Sequence, residues 1–261
     1  MGVYNCDETL EEALDSLLNQ TYQDFELILC DDGSVDKTFQ IAQTYKNAYA
    51  EKIILLKNEQ NQGLNATLNK CLKKAKGEYI ARMDGDDVSL PERFKKQVQF
   101  LEKHPEYDLV SSAMTTFDET GDFGIIRLKN EPDTVDFIKF SPFNHAPCMA
   151  RRAAFINVGG YSVHERLLRV EDWHLWIKMY VSGFKGYNLD EALYKMRDDR
   201  HAALRRNWKN RLNEFYVRYL AFKLLKLPVK YLPYTLRPII LGLLPLSVYR
   251  YLHKKKLEKQ L

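Results

Sequence analysis

An α/β fold with a mostly parallel central sheet is what this sequence predicts, and three observations predict it. Short apolar runs of strand character alternate with helix-period segments from residue 9 to about 100. Two of those runs end directly in acids: "FELILC" in Asp31-Asp32-Gly33-Ser34, and "YIARM" in Asp84-Gly85-Asp86-Asp87. The chain has 261 residues, 45% hydrophobic and 28% charged, which suits one large domain or a domain with a small appendage.

The elements follow in order. Leu10, Ala13, Leu14, Leu17 and Leu18 repeat at helical spacing, and Thr9 with Glu12 reads as a capping box. "FELILC" (25–30) is a strand, 36–49 a helix and "KIILLK" (52–57) a strand. "NEQNQG" (58–63) is a polar turn; Leu64, Leu68, Cys71, Leu72 and Ala75 then form the apolar face of a helix. "GEYIARM" (77–83) is the next strand. The helix at 9–20 calls for a preceding strand, and "MGVYN" supplies only the end of one. Either the fold starts one strand short, or Met1 is an internal methionine. From about 107 the pattern loosens. "YDLVSSAM" (107–114) reads as a strand, 115–145 as irregular, and 170–183 as a helix opened by two acids.

Charge divides the chain. Residues 1–195 carry a net −8 and residues 196–261 a net +12, within an overall +4. The expected division is a catalytic-type α/β domain at 1–195 and a basic helical extension at 196–261, broken by Pro228, Pro233, Pro238 and Pro245. A basic tail of this kind meets phosphate-rich surfaces. Tyr216, Tyr219, Phe222, Leu224 and Leu225 mingle there with Arg218, Lys223 and Lys226, and "PIILGLLPLSVYRYLHKKK" follows. That pattern suits docking on an anionic membrane surface; a helical cap on the main domain is the plainer reading. The run Pro238–Tyr249 is too short to span a bilayer, and no signal peptide is visible. Cys6, Cys30, Cys71 and Cys148 form no CxxC pair and read as reduced, mostly buried thiols of a cytoplasmic protein. No nucleic-acid reader motif is present, and the acidic body argues against that partner.

In open parallel sheets ligands bind beyond the carboxyl ends of the strands, so the two acid clusters should share one edge. Asp84 and Asp86 on a glycine turn suit a hard divalent cation, Mg²⁺ or Mn²⁺, completed by phosphate and water. The competing reading is a solvated acidic turn with Asp87 or Ser89 capping a helix near Pro91. An EF-hand is excluded by the absence of Gly and Glu at its sixth and twelfth positions. Neither a P-loop nor GxGxxG occurs, so a metal rather than glycine backbone would neutralise a phosphate. Asp31-Asp32 suits hydrogen bonding to a nucleobase or ribose, or simply a turn. Glu171-Asp172 reads either as acids complementing a helix dipole or as a general base, and His145 as a loop histidine with a structural or a catalytic part.

Together "VYNCDETLEEALDSLLNQTYQDFELILCDDGSVDKT", "NQGLNATLNKCLKKAKGEYIARMDGDDVSLPERF" and "NHAPCMARRAAFINVGGY…VEDWHLWIKM" resemble the family 2 glycosyltransferases, over residues 1 to about 195. The resemblance implies a GT-A fold and an inverting transfer from a nucleotide-sugar donor, UDP-linked above others, to a saccharide or lipid-linked acceptor. It is similar in particular to bacterial enzymes of capsule, exopolysaccharide and lipopolysaccharide assembly, which places the chain at the inner face of the membrane. By that resemblance Tyr4, Asp31 and Asp32 hold base and ribose, with Asn61 and Gly63 near the base. Asp84 faces ribose or sugar and Asp86 the metal. Asp172 is the catalytic base, with Glu171 and Trp173 shaping the acceptor site; His145, Gly159 and Gly160 match the acceptor-side segment. Lys178 stands where the pattern often has Arg. Family members begin with a full strand such as "VSVIMPVYN", and this chain keeps its end. The alternative is therefore an inactive fragment of such a fold, or a nucleotide-binding module.

Overall fold

The computed structural model describes residues 1–198 and 207–243. Its first half follows the alternation of the sequence. A short β1 (Gly2–Val3) leads to α1 (Leu10–Leu18), β2 (Leu27–Asp31), α2 (Thr38–Ala48), β3 (Ile53–Lys57), α3 (Leu64–Lys74) and β4 (Tyr79–Ala81). β1, β2 and β3 form a parallel sheet in that order, with Val3 opposite Asp31 and Asp31 opposite Lys57. β2 is buried along its whole length, as a parallel strand covered on both faces must be. Leu10, Ala13, Leu14 and Leu17 bury the predicted face of α1.

The second half is a separate, mixed sheet in the order β4-β8-β6-β9-β5, with β7 hydrogen-bonded to β6 outside that path. It comprises β5 (Val88–Ser89), β6 (Leu109–Asp118), β7 (Gly121–Ile126), β8 (Met149–Arg151) and β9 (Gly186–Arg197). β6 runs parallel to β9 and antiparallel to β7 and β8. Around it lie α4 (Arg93–Lys103), α5 (Arg152–Asn157) and α6 (Glu171–Val181). The segment 115–145, expected to be irregular, carries the end of β6, all of β7 and a 3₁₀ turn at Asp136–Ile138.

The two sheets share no hydrogen-bonded strand pair among the described residues. Between β2 and β4 lies a cavity of about 630 Å³, lined by Leu17, Ile28, Leu68, Ile80, Met83 and Phe94 among others. The Met1 ammonium donates to the Ile28 carbonyl at 2.9 Å, and Cys30 N–H to the Met1 carbonyl at 2.9 Å, which carries the β1 ladder along the rim of that cavity.

Two expected caps are not formed. Thr9 Oγ1 donates to the Gly85 carbonyl at 3.0 Å, and Glu12 pairs with Arg197, so the presumed capping box instead ties α1 to the acidic turn and to β9. α4 begins at Arg93 with no side-chain cap. Asp87 accepts from the Arg197 amide at 2.8 Å and Ser89 Oγ from Gln20 at 3.1 Å, so neither is available to that helix.

α7 (Trp208–Leu224) packs on the body: Val217 and Ala221 are buried in the core formed by Phe143, Phe155, Trp173 and Trp176. A 3₁₀ stretch (Val229–Leu236) and α8 (Arg237–Leu243) follow. No described helix is long and apolar enough to cross a membrane. The expected wedge beyond residue 243, with its lysine run, lies outside the described residues.

Candidate active site

Three carboxylates crowd the loop after β4, where Arg82 clamps one of them and Arg197 braces the turn through its backbone amide and guanidinium. Arg82 and Asp84 stand two apart at a strand end, on the same face. Arg82 Nη1 donates to Asp84 Oδ2 at 2.6 Å, and Nη2 pairs with Oδ1. Burial works against the Arg82 charge, and Asp84 beside it more than restores it. On the other side Arg197 Nε donates to the Asp86 carbonyl at 3.0 Å. The turn between them needs a glycine: a Cβ on Gly85 would stand 2.8 Å from Cys6 Sγ and 2.9 Å from a Val3 methyl.

The acids nevertheless outnumber these cations locally. Ligand oxygens of Asp84, Asp86 and Asp87 lie within 4.8 Å of one another. Burial, then Asp84 and Asp86, push the Asp87 carboxyl up to about 7. Burial and Asp84 likewise raise that of Asp86. An exposed Asp86 beside a clamped Asp84 is an all-oxygen set short of positive charge, which fits Mg²⁺ or Mn²⁺.

Asp84 and Asp86 open on a cleft of about 660 Å³ whose opposite wall is Tyr4, Asn5, Asp7 and Glu8, with Arg197 at its edge. Tyr4 follows β1 and is exposed. The β1–β2 register sets Asp31 beside Val3, at the same sheet end. Asp31 Oδ2 accepts from the Ser34 amide at 3.2 Å, while its buried Oδ1 has no protein partner. Asp32 differs. Its oxygens accept from Asn58 Nδ2 at 2.7 Å and from the Gln62 and Gly63 amides at 2.9 Å each. Asp32 therefore fixes the Asn61–Gly63 turn, whose Asn61 side chain also accepts from the Gly63 amide at 3.1 Å.

Arg82 also acts on a second group of the residues expected to form the site, around Asp172 and His145. Asp172 lies in the first turn of α6, where its carboxylate accepts from Ser141 Oγ at 3.0 Å. Burial raises its pKa, against the Trp173 amide, Ser141 and the Arg82 charge, which all lower it. Glu171 is raised too, by burial and by Asp172. His145 is held by the Tyr161 hydroxyl at 2.8 Å; burial, with Arg82, pushes its pKa well down, so its ring is neutral at ordinary pH. Trp173 is buried, its Nε1 donating to the Phe137 carbonyl at 2.9 Å and its ring lying 4.8 Å from the Arg218 guanidinium.

Gly159 and Gly160 make a left-handed turn, with φ of 70° and 66°. A Cβ on Gly160 would stand 2.5 Å from Asn69 Oδ1, the atom that accepts from the Tyr161 amide at 2.8 Å. Lys178, placed where the family pattern often has Arg, donates to the Val158 carbonyl at 3.0 Å and to that of Gly160. Its role here is to hold the turn. Sequence reading passed over Arg82, Arg197, Ser141 and Tyr194, whose hydroxyl accepts from the Asp84 amide at 3.2 Å. Only Arg82 had a signal, a cation two residues before an acid on a strand.

A parallel sheet whose strand end carries Asp31-Asp32, an acidic turn after β4 beside a cleft of nucleotide size and a half-buried carboxylate at a helix start are the arrangement of a nucleotide-sugar transferase of the GT-A type. The sequence pattern described as "Glycosyl transferase family 2" matches residues 1–171, and the chain belongs to that family. It is 44% identical to the putative glycosyltransferase EpsE of Bacillus subtilis over 260 residues, covering 100% of this chain and 94% of that one. It is 32% identical to the amylovoran biosynthesis glycosyltransferase AmsE of Erwinia amylovora, covering 98% and 97%. It is 30% identical to the Escherichia coli UDP-Gal:alpha-D-GlcNAc-diphosphoundecaprenol beta-1,3-galactosyltransferase, covering 99% and 95%. The crystal structure of Staphylococcus aureus TarS 1–349 in complex with UDP-GlcNAc shares the fold at a TM-score of 0.66 and 20% identity, covering 91% of this chain and 77% of that one. The Pyrobaculum calidifontis mannosyltransferase PcManGT, in complex with GDP-Man and Mn²⁺, matches at 0.61 and 17%, covering 100% and 79%.

Proposed function

We propose that this glycosyltransferase moves a sugar from a UDP-linked donor to a lipid-linked saccharide during bacterial surface-polysaccharide assembly, with Asp172 as its base. The observation that carries the reading is the pair of acidic centres that both feel Arg82: Asp84, which it clamps beside an open cleft, and Asp172, which does not line that cleft. Tyr4, Asp31 and the Asn61–Gly63 turn held by Asp32 would receive the nucleoside. Asp86, with Asp84, would hold Mn²⁺ or Mg²⁺, which supplies charge compensation for the leaving diphosphate. Asp172 takes the proton of the acceptor hydroxyl as that oxygen attacks the anomeric carbon. The bond to the diphosphate breaks on the opposite face, so the anomeric configuration inverts. A base with a raised pKa is matched to a proton that becomes acidic only as the bond forms. Neutral His145 takes no proton here and instead fixes Tyr161.

Calorimetry with UDP, with and without Mn²⁺, tests the donor site. Binding that requires the ion is expected; equal binding without it would remove the metal from the reading.

The membrane part of the reading rests on the C-terminal helices. Trp208, Leu212, Val229, Leu236, Ile240 and Leu243 are exposed, between Lys209, Arg211, Lys226, Lys230 and Arg237. Apolar side chains flanked by cations match an anionic bilayer surface. The protein is expected to float with phosphatidylglycerol-rich liposomes at low salt and to be released at high salt. Failure to float at low salt would rule out this surface.

A further inference from the structure

The Asp172 carboxylate accepts from the backbone at its own helix start, through the Trp173 amide, and from one side chain brought from elsewhere. Ser141 Oγ donates to Oδ2 at 3.0 Å, from a segment 31 positions away in sequence. A serine hydroxyl has one proton. The other acceptor within reach, the Phe143 carbonyl, is farther at 3.4 Å and neutral, so the charged oxygen takes it.

The segment that carries Ser141 is pinned on both sides. Asn188 Nδ2 donates to the Pro142 carbonyl at 2.9 Å. Asn144 donates to the Ser112 carbonyl at 2.9 Å and accepts at its own carbonyl from Ser111 at 2.8 Å. Upstream, Arg218 of α7 reaches the Ile138 carbonyl. Ser141 is thus a fixed donor, aimed at a carboxylate on another element.

We propose that Ser141 is a positioning residue for the transfer: by holding Oδ2 it fixes the plane in which the Asp172 carboxylate receives the acceptor proton. The assignment rests on Asp172 being the base. The other charged or titratable groups that feel Asp172 are Arg82 at the end of β4, Glu171 beside it, and Cys148 and Tyr161 from the facing segments. All of them remain when Ser141 is changed. A hydroxyl donating to the anion stabilises it, so removing that donor raises the pKa of Asp172. The fraction of enzyme with an ionised base at a given acidic pH then falls.

The test uses the full chain labelled with ¹³C-carboxyl aspartate, the Asp172 signal being identified by its loss in Asp172→Asn. Ser141→Ala is expected to move the Asp172 titration midpoint upward by about one pH unit. Ser141→Thr, which keeps a hydroxyl, is expected to restore it. Mn²⁺-dependent UDP binding is expected to stay within about twofold in both variants, since Ser141 does not line the donor cleft. With UDP-glucose, UDP-galactose and UDP-N-acetylglucosamine as donors, the acid limb of UDP release should move in the same direction. Coincident midpoints in wild type and Ser141→Ala overturn the proposal. Loss of UDP binding in Ser141→Ala without rescue by threonine also overturns it, because the effect is then on the fold. Undiminished transfer by Asp172→Asn would sink the base itself, and the Ser141 titration arm would still report its hydrogen bond.

Discussion

Asp172→Asn is expected to lower sugar transfer by about three to four orders of magnitude, near the top of what a single general base contributes. The amide keeps the size of the side chain and can still accept from Ser141 and from the Trp173 amide, but it has no basic oxygen for the acceptor proton. The α6 terminus should therefore stay folded. Mn²⁺-dependent UDP binding should persist, because Asp172 does not line the cleft beside Asp86. Parallel calorimetry and transfer assays separate the two effects. Loss of both would mean that the substitution had disturbed the fold.

Asp86→Ala is expected to do the reverse. Arg82 pairs with both oxygens of Asp84, so Asp86 is the more open of the two acids proposed to hold the cation. Removing it should abolish the Mn²⁺ dependence of UDP binding and weaken that binding at least tenfold. Stability should change little, since the Asp86 side chain is exposed. If Asp86→Ala still bound UDP with full Mn²⁺ dependence, Asp84 or Asp87 would have to carry the ion. Thermal melts with and without Mn²⁺ give a second measure, because an ion that binds only the folded chain raises its melting temperature.

What was legible in the sequence was what depends on local pattern. The helix face of α1, the buried run of β2 and the acids after β2 and β4 are set by residues within a few positions of one another, and periodicity exposes them. β9 was missed because "GYNLDEALYKMR" interrupts its alternation with Asp190 and Glu191. It is a strand because β6 pairs with it over nine positions, a partnership made some 75 residues away. The missed site residues have the same explanation. Ser141 and Arg197 matter through Asp172, Asp86 and Glu12, and nothing in their own neighbourhood marks them. Thr9 and Glu12 show the opposite error: a local pattern predicted a cap, and tertiary partners took both side chains.

The donor cleft crosses the boundary between the two sheets. Tyr4 and the strand end at Asp31 belong to the three-stranded sheet, whereas Asp84 and Asp86 follow β4 of the six-stranded one. No strand ladder crosses that boundary among the described residues; α1 and one continuous core, running from Leu10 and Leu29 to Met83 and Tyr194, join the two walls instead. A nucleotide bound as proposed would lie across that seam, so a substitution that loosens the core beneath it, such as Leu29→Ala, is expected to weaken UDP binding without touching the ligand.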